Sequence, residues 1–227
     1  VLAEETTVNE AGSPLPVWIP FVAWTALWLV ALLVSGARDF RLGVKIAKPL
    51  ASAGFIATAV ACGALETPYG QAILVALFLS FWGDVLLIPE GAGPWFMAGL
   101  VSFLLGHLAF AVAFWIAGIS TVGAAAAVVV LAGPIFGVLR WLRPHVPPDM
   151  KGPVHAYVAV ISAMVVAAAG ATVAGGTPGM LVGALLFYLS DLAVARERFV
   201  APGPANGLVG LPLYYGAQVV LALTVLA

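Results

Sequence analysis

The sequence predicts an all-α fold, a polytopic membrane helix bundle of about eight transmembrane helices. Three observations predict it. Of the 227 residues, 63% are apolar and only 8% are charged, against about 25% charged in a soluble domain. So few charges cannot cover a water-facing surface, and lipid must be the solvent for most of the chain. The apolar runs are too long for strands and lack the alternation of a membrane barrel. All nine Lys and Arg belong to one side of the layout set out below.

Hydropathy and Gly/Pro punctuation divide the chain into spans at 16–35, 46–64, 70–88, 95–117, 121–139, 153–174, 178–195 and 207–227. Residues 1–14 read as a polar N-terminal tail, without the basic start and early apolar run of a signal peptide. Residues 15–227 then form a single eight-span transmembrane domain. Its least marked boundary lies near 118–121, where Gly118-Ile119-Ser120-Thr121 barely interrupts the apolar run. Several connections are only a few residues long, which makes neighbouring helices antiparallel.

The charges orient the bundle. Arg38, Arg41, Lys45 and Lys48 surround the first connection, Arg140, Arg143 and Lys151 flank the fifth, and Arg196 and Arg198 sit at the seventh. Glu4, Glu5, Glu10 and Glu66 fall on the opposite side. By the positive-inside rule the basic side is cytoplasmic and both termini are outside. The richness in Ala, Gly and Val hints at a GC-rich bacterium, so the expected location is a bacterial inner membrane. A net charge of −1 speaks against nucleic acid as a partner. The single cysteine, Cys62, excludes an internal disulfide and a thiolate metal cluster, and reads as a small buried hydrophobe.

Two acids inside the spans demand a reason, because an ionised side chain there costs roughly 2.5–3.5 kcal/mol even on the lenient insertion scale. Asp84 follows Leu79-Ser80-Phe81-Trp82-Gly83 in the third span. Asp191 follows Phe187-Tyr188-Leu189-Ser190 in the seventh. Each is the third span of a four-span half, which suggests a parallel four-plus-four repeat. Both spans run from outside to inside, and a rise of ~1.5 Å per residue sets both acids about 6–8 Å from the cytoplasmic end. Other polar groups reach the same half. Lys48 opens the second span ahead of Pro49, which a first helical turn tolerates. Tyr157 opens the sixth span, Tyr214 and Tyr215 enter the eighth with Gln218 one turn deeper, and His107 lies near the middle of the fourth. Each has a plainer reading: Lys48 snorkelling to the headgroups, the tyrosines as interfacial aromatics, His107 and Gln218 as interhelical hydrogen-bond partners. Trp18, Trp24 and Trp95 read as interface anchors, and His145 and His155 as solvated helix-end residues. For the two acids, the plain alternative is a buried cluster with Lys48, in which two acids share one nearby base.

No HExxH, GxSxG or Gly-rich phosphate loop is present, and only His107 is a clearly intramembrane metal-type ligand. No metal or other cofactor is expected. Ser190 accompanies Asp191, but no His stands near it to activate a nucleophile.

At these residues the chain resembles the YhhN family, whose eukaryotic members are the TMEM86 lysoplasmalogenases. The resemblance runs from about Lys48 to the C-terminus. It rests on Lys48-Pro49, on Gly83-Asp84 with Leu86-Leu87, on Gly99-Leu100 through Phe103 to Gly106-His107, and on Tyr157 and Met164. It continues in Gly183-Ala184-Leu185-Leu186-Phe187 leading to Ser190-Asp191, and in Tyr214-Tyr215-Gly216-Ala217-Gln218. Phe110 departs from it, at a place where many relatives have Tyr. The resemblance implies an eight-span enzyme that hydrolyses the vinyl ether bond of lysoplasmalogens. The products would be a fatty aldehyde and glycerophosphocholine or glycerophosphoethanolamine, and the partners a lysophospholipid and the surrounding membrane lipid.

That chemistry suits two carboxyls. A vinyl ether resists nucleophiles until its β-carbon is protonated; the resulting oxocarbenium ion takes up water and collapses to aldehyde and alcohol. A proton donor, a carboxylate to stabilise the cation and a base for water are needed, and a carboxyl pair supplies all three in glycosidases. Asp84 and Asp191 are therefore the candidate acid/base pair, with Lys48, His107, Tyr157, Ser190, Tyr214, Tyr215 and Gln218 in support. Which acid is the donor stays open at this point. So do a metal-dependent lipid hydrolase, a lipid or proton-coupled transporter using the two acids as carriers, and a protein that binds lysolipid without consuming it.

Overall fold

The computed structural model describes residues 15–89 and 93–226, so the polar tail expected over 1–14 lies outside the described residues. Eight long helices follow one another: α1 (Ile19–Ala37), α2 (Arg41–Ala61), α3 (Pro68–Leu86), α4 (Pro94–Ala117), α5 (Thr121–Leu142), α6 (Lys151–Val173), α7 (Pro178–Ala195) and α8 (Pro204–Leu223). There is no strand among the described residues. All eight helices are long and apolar enough to cross a bilayer, and the chain is an integral membrane protein.

Helix starts follow local chemistry. Thr67, Ser120 and Thr177 cap α3, α5 and α7 by accepting hydrogen bonds from Gly70, Gly123 and Gly179 backbone N–H. Pro occupies the first turn of α1, α3, α4, α7 and α8, where its missing N–H costs nothing. The faint boundary at 118–121 is a true break: Gly118 adopts φ 100°, a left-handed conformation that favours glycine and ends α4.

One start differs from expectation. α2 begins at Arg41, so Lys48 lies two turns inside it and Pro49 is an interior proline rather than a first-turn one. The early turns carry Arg41 and Lys45 beside exposed Leu42 and Ile46. Their mean hydropathy is low, so an apolar-run reading starts the span too late. Trp24 does more than anchor an interface: its indole N–H donates to the Leu50 carbonyl at 2.8 Å, tying α1 to α2 just past Pro49.

Sequential hairpins α1–α2, α3–α4, α5–α6 and α7–α8 form the bundle. They join through α2–α3, α4–α6, α6–α7 and α2–α8, while α1 leans on α8. Small residues set the closest approaches, as expected where lipid offers no hydrophobic drive between helices. A Cβ at Gly83 would meet the Phe103 ring at 2.6 Å, and one at Gly183 would meet Leu221 at 2.6 Å. Substituting either glycine would push α3 from α4 or α7 from α8. Helix α5 is peripheral, with only 6% of its spanning window buried. Cys62 is buried and free.

Candidate active site

The buried face of α3 repeats at helical spacing through Ile73, Leu77, Ser80 and Asp84. The same pattern on α7 runs through Met180, Ala184, Phe187 and Ser190, with half-buried Asp191 next. Each acid is thus aimed at the bundle interior by the stripe that packs its helix.

Asp84 is almost sealed, at 2% exposure. Lys48 Nζ stands 3.3 Å from its Oδ1. Ser52 Oγ donates to Oδ2 at 2.7 Å, and the Tyr214 hydroxyl donates to the same oxygen at 2.6 Å. Lys48 and Ser52 are four residues apart on α2, so both face Asp84 from one helix stripe. Lys48 therefore pairs with the acid and does not snorkel to the headgroups. Tyr215 acts a step further back. Its hydroxyl donates to the Lys48 carbonyl at 3.2 Å and lies 3.2 Å from Ser52 Oγ, bracing the α2 turn that presents both donors.

Asp191 is more open, with its side chain 17% exposed. The Tyr157 hydroxyl donates to Oδ2 at 3.0 Å. His107 Nε2 lies 3.3 Å from that oxygen. The contact is within ion-pair distance but lacks the alignment of a hydrogen bond, so it is chiefly electrostatic. His107 Nδ1 sits 2.6 Å from the Phe103 carbonyl, and a carbonyl only accepts, so Nδ1 carries a proton. A neutral His107 then turns a bare Nε2 lone pair toward the carboxyl group. The plain alternative of two acids sharing one base does not describe the geometry: Lys48 pairs with Asp84, and His107 stands with Asp191.

An aromatic wedge joins the two acids. The Tyr214 ring packs against Phe187 at 5.5 Å and Phe103 at 5.8 Å, and Phe187 packs on His107 at 4.2 Å. Phe110 is fully buried beside Phe187 and Phe114, so its position is filled by packing and needs no hydroxyl.

Lys48, Asp84, Tyr157, Ser190, Asp191 and Tyr214 line one cavity of about 240 Å³. Its remaining wall is largely apolar, from Leu100 and Phe103 on α4 to Val138 and Leu142 on α5 and Val158 and Ile161 on α6. It reaches the basic end of the bundle at Phe96, Glu197, Arg198 and Phe199. A second groove at that end, beside Arg140, Arg143 and Lys151, contains neither acid.

Not every expected residue converges. Ser190 lines the cavity, but its hydroxyl donates to the Phe187 carbonyl at 2.8 Å. Gln218 is fully buried, lies away from the cavity lining, and neither of its amide atoms has a partner among the described residues. His145 and His155 are exposed near the ends of α5 and α6, as expected. Ser52 was missed, although its spacing four residues after Lys48 is the signal that finds it. Phe187 was noted only as part of a motif, with nothing in sequence to show that it bridges the acids. Among the described residues, no three His, Cys, Asp or Glu side chains come together to hold a metal ion.

The sequence model of the YhhN family matches residues 40–225. The lysoplasmalogenase TMEM86B of Sus scrofa is 34% identical over 158 residues, 69% of this chain and 64% of that protein. TMEM86A of Bos taurus, also named a lysoplasmalogenase, is 30% identical over 233 residues, 96% of this chain and 91% of that protein. A lysoplasmalogenase of Mycobacterium bovis is 33% identical over 171 residues, 70% of this chain and 62% of that protein. No solved structure matches the chain significantly.

Proposed function

The chain belongs to the YhhN family, and on that premise we propose that it is a lysoplasmalogenase, hydrolysing the vinyl ether bond of 1-alkenyl lysophospholipids with Asp84 and Asp191 as its acid/base pair. The observation that carries this reading is the placement of two differently partnered carboxyls on one largely apolar cavity. Relatives from mammals and a mycobacterium bear the lysoplasmalogenase name.

The two environments divide the work. Asp191 faces the cavity and shares its contact with His107, so it is the proton donor. It protonates the β-carbon of the vinyl ether, and the carbon–carbon π pair forms the new C–H bond. The positive charge spreads over the α-carbon and the ether oxygen. Asp84 receives donors from Lys48, Ser52 and Tyr214 and stays a carboxylate, a fixed negative charge facing the oxocarbenium ion. Water then adds to the α-carbon and returns a proton to Asp191. The hemiacetal collapses, its C–O bond electrons and a proton passing to the glycerol oxygen. One water is consumed, and aldehyde and glycerophospho-base leave. The apolar wall accommodates the alkenyl chain.

The basic end is read as cytoplasmic by the positive-inside rule. Both termini are then outside, the acids lie in the cytoplasmic half, and a bacterial inner membrane is the expected location.

The test is aldehyde release by purified protein from a 1-alkenyl lysophospholipid, with the 1-acyl analogue in parallel and EDTA present. Aldehyde from the alkenyl lipid alone, unaffected by EDTA, supports metal-independent vinyl ether hydrolysis. Folded protein that releases none overturns the assignment and leaves transport or a metal-dependent hydrolase as the reading to pursue.

A further inference from the structure

The seventh connection lines the cavity at the basic end. Here α7 runs on from Ala195 into a π-helical turn, Arg196–Val200, a rare geometry that recurs at functional sites. Glu197 and Arg198 of that turn line the same cavity as the two acids. The Arg198 guanidinium lies 4.2 Å from the centroid of the Phe96 ring at the start of α4. This cation–π contact fixes its position without neutralising it. Among the described residues, no carboxylate pairs with Arg198.

Glu197 is fixed by different means. Its Oε2 accepts from Gly203 N–H at 2.8 Å and from Asn206 Nδ2 at 2.5 Å. Buried Asn206 in turn accepts from Arg196 Nη1 at 2.5 Å. Oε1 of Glu197 has no hydrogen bond among the described residues. The basic end of the cavity therefore presents one fixed cation and one fixed anion on the same lining.

Their distance from the chemistry suits a lysolipid. Seven residues of helix separate Asp191 from Arg198, about 10 Å at the α-helical rise. Five single bonds separate a vinyl ether oxygen from the phosphorus of its headgroup, about 6 Å at ordinary bond lengths. An arginine side chain spans the remainder. Lys48 is the other cation on the cavity, but Asp84 already occupies it.

We propose that Arg198 and Glu197 form the headgroup site for a zwitterionic phospho-amine, Arg198 binding the phosphate and Glu197 Oε1 the ammonium. The proposal rests on the lysolipid reading above and adds headgroup choice to it. A headgroup whose phosphate carries no ammonium, such as the anionic phosphoglycerol, leaves the Glu197 charge without a partner and binds more weakly.

The test uses the full chain in phosphate-free detergent and a non-cleavable 1-alkyl lysophosphoethanolamine, with its phosphoglycerol counterpart in parallel. Affinities are measured by calorimetry. The wild type is expected to favour the phosphoethanolamine lipid. Arg198→Gln should weaken both lipids by about tenfold or more, the scale of a lost hydrogen bond to a charged group, and Arg198→Lys should recover part of that. Glu197→Gln should erase the preference between headgroups. Unchanged affinity in folded Arg198→Gln, or an unchanged preference in folded Glu197→Gln, overturns the proposal. If Glu197→Gln fails to fold, Arg198→Gln decides, because the Arg198 guanidinium makes no hydrogen bond among the described residues. Aldehyde release separates the two claims. Its absence in the wild type refutes vinyl ether cleavage but leaves the binding result standing. Its presence with an unaltered KM in Arg198→Gln refutes the headgroup site alone.

Discussion

The surroundings of Asp84 and of Asp191 use one architectural plan and reach different chemical ends. Each acid sits near the basic end of the third helix of a four-helix half. Each meets a side chain from the helix before it, Lys48 and Ser52 on α2 or Tyr157 on α6. Each also meets one from the last helix of the other half, Tyr214 on α8 or His107 on α4. The packing of α2 on α8 and of α4 on α6 makes these crossed contacts possible. The crossed pattern supports the parallel four-plus-four repeat suggested by the two Asp motifs, which we retain as a proposal. What differs is the countercharge. Asp84 has a permanent cation and almost no exposure; Asp191 has a titratable partner and an open edge on the cavity. On the proposed roles, the lysine fixes a carboxylate in place, whereas the histidine lets a proton move.

That contrast can be broken most directly at the acids. Asp191→Asn removes the mobile proton and should lower the kcat for aldehyde release by roughly a thousandfold, within the usual range for losing a general acid. Asp84→Asn keeps the proton and loses only the fixed charge, so its loss should be smaller. The reverse order would exchange the two roles.

Lys48→Met tests the permanent pair. It leaves Asp84 buried without its cation, a change that typically costs about 3–5 kcal/mol. Thermal unfolding in detergent should show that loss, and the double variant Lys48→Met with Asp84→Asn should regain most of it. If the double variant is no more stable than Lys48→Met alone, the ion pair is not what holds α2 to α3.

Tyr157→Phe deletes one hydrogen bond to the moving proton's site. A fall in kcat of about tenfold with KM unchanged is expected, the scale of a single hydrogen bond to a charged group. A change confined to KM would make Tyr157 a substrate contact instead. The smallest effect belongs to Ser190→Ala. Its hydroxyl is taken by the Phe187 carbonyl, so turnover should stay within about twofold, set against the weak net value of a neutral hydrogen bond. A steep loss would mean that Ser190 has a role in the reaction.

The helix count and the break at Gly118 were legible because both are written in local chemistry: apolar runs long enough to span a bilayer and a glycine that must adopt positive φ. The α2 start was misread because Arg41 and Lys45 dilute its first turns. The helical rise and the charge asymmetry predict one depth for both acids. They do not predict a shared cavity, since lateral neighbours depend on which helices pack together, and α2–α8 and α4–α6 are far apart in the chain. For the same reason His107 read as a generic interhelical partner, Tyr157 and Tyr214 read equally well as interfacial aromatics, and the sequence could not show that Gln218 lies off the cavity lining.

The peripheral placement of α5 has a consequence for traffic. Val138 and Leu142 of this helix line the cavity, while α5 itself is backed mainly by α6. On that side a single helix stands between the cavity and the outer face of the bundle. On the proposed reaction, the aldehyde is oil-soluble and the phosphorylated product is water-soluble, so they part into different phases. Products that separate into oil and water no longer meet in the cavity, and the reverse reaction loses its reactants as soon as they form.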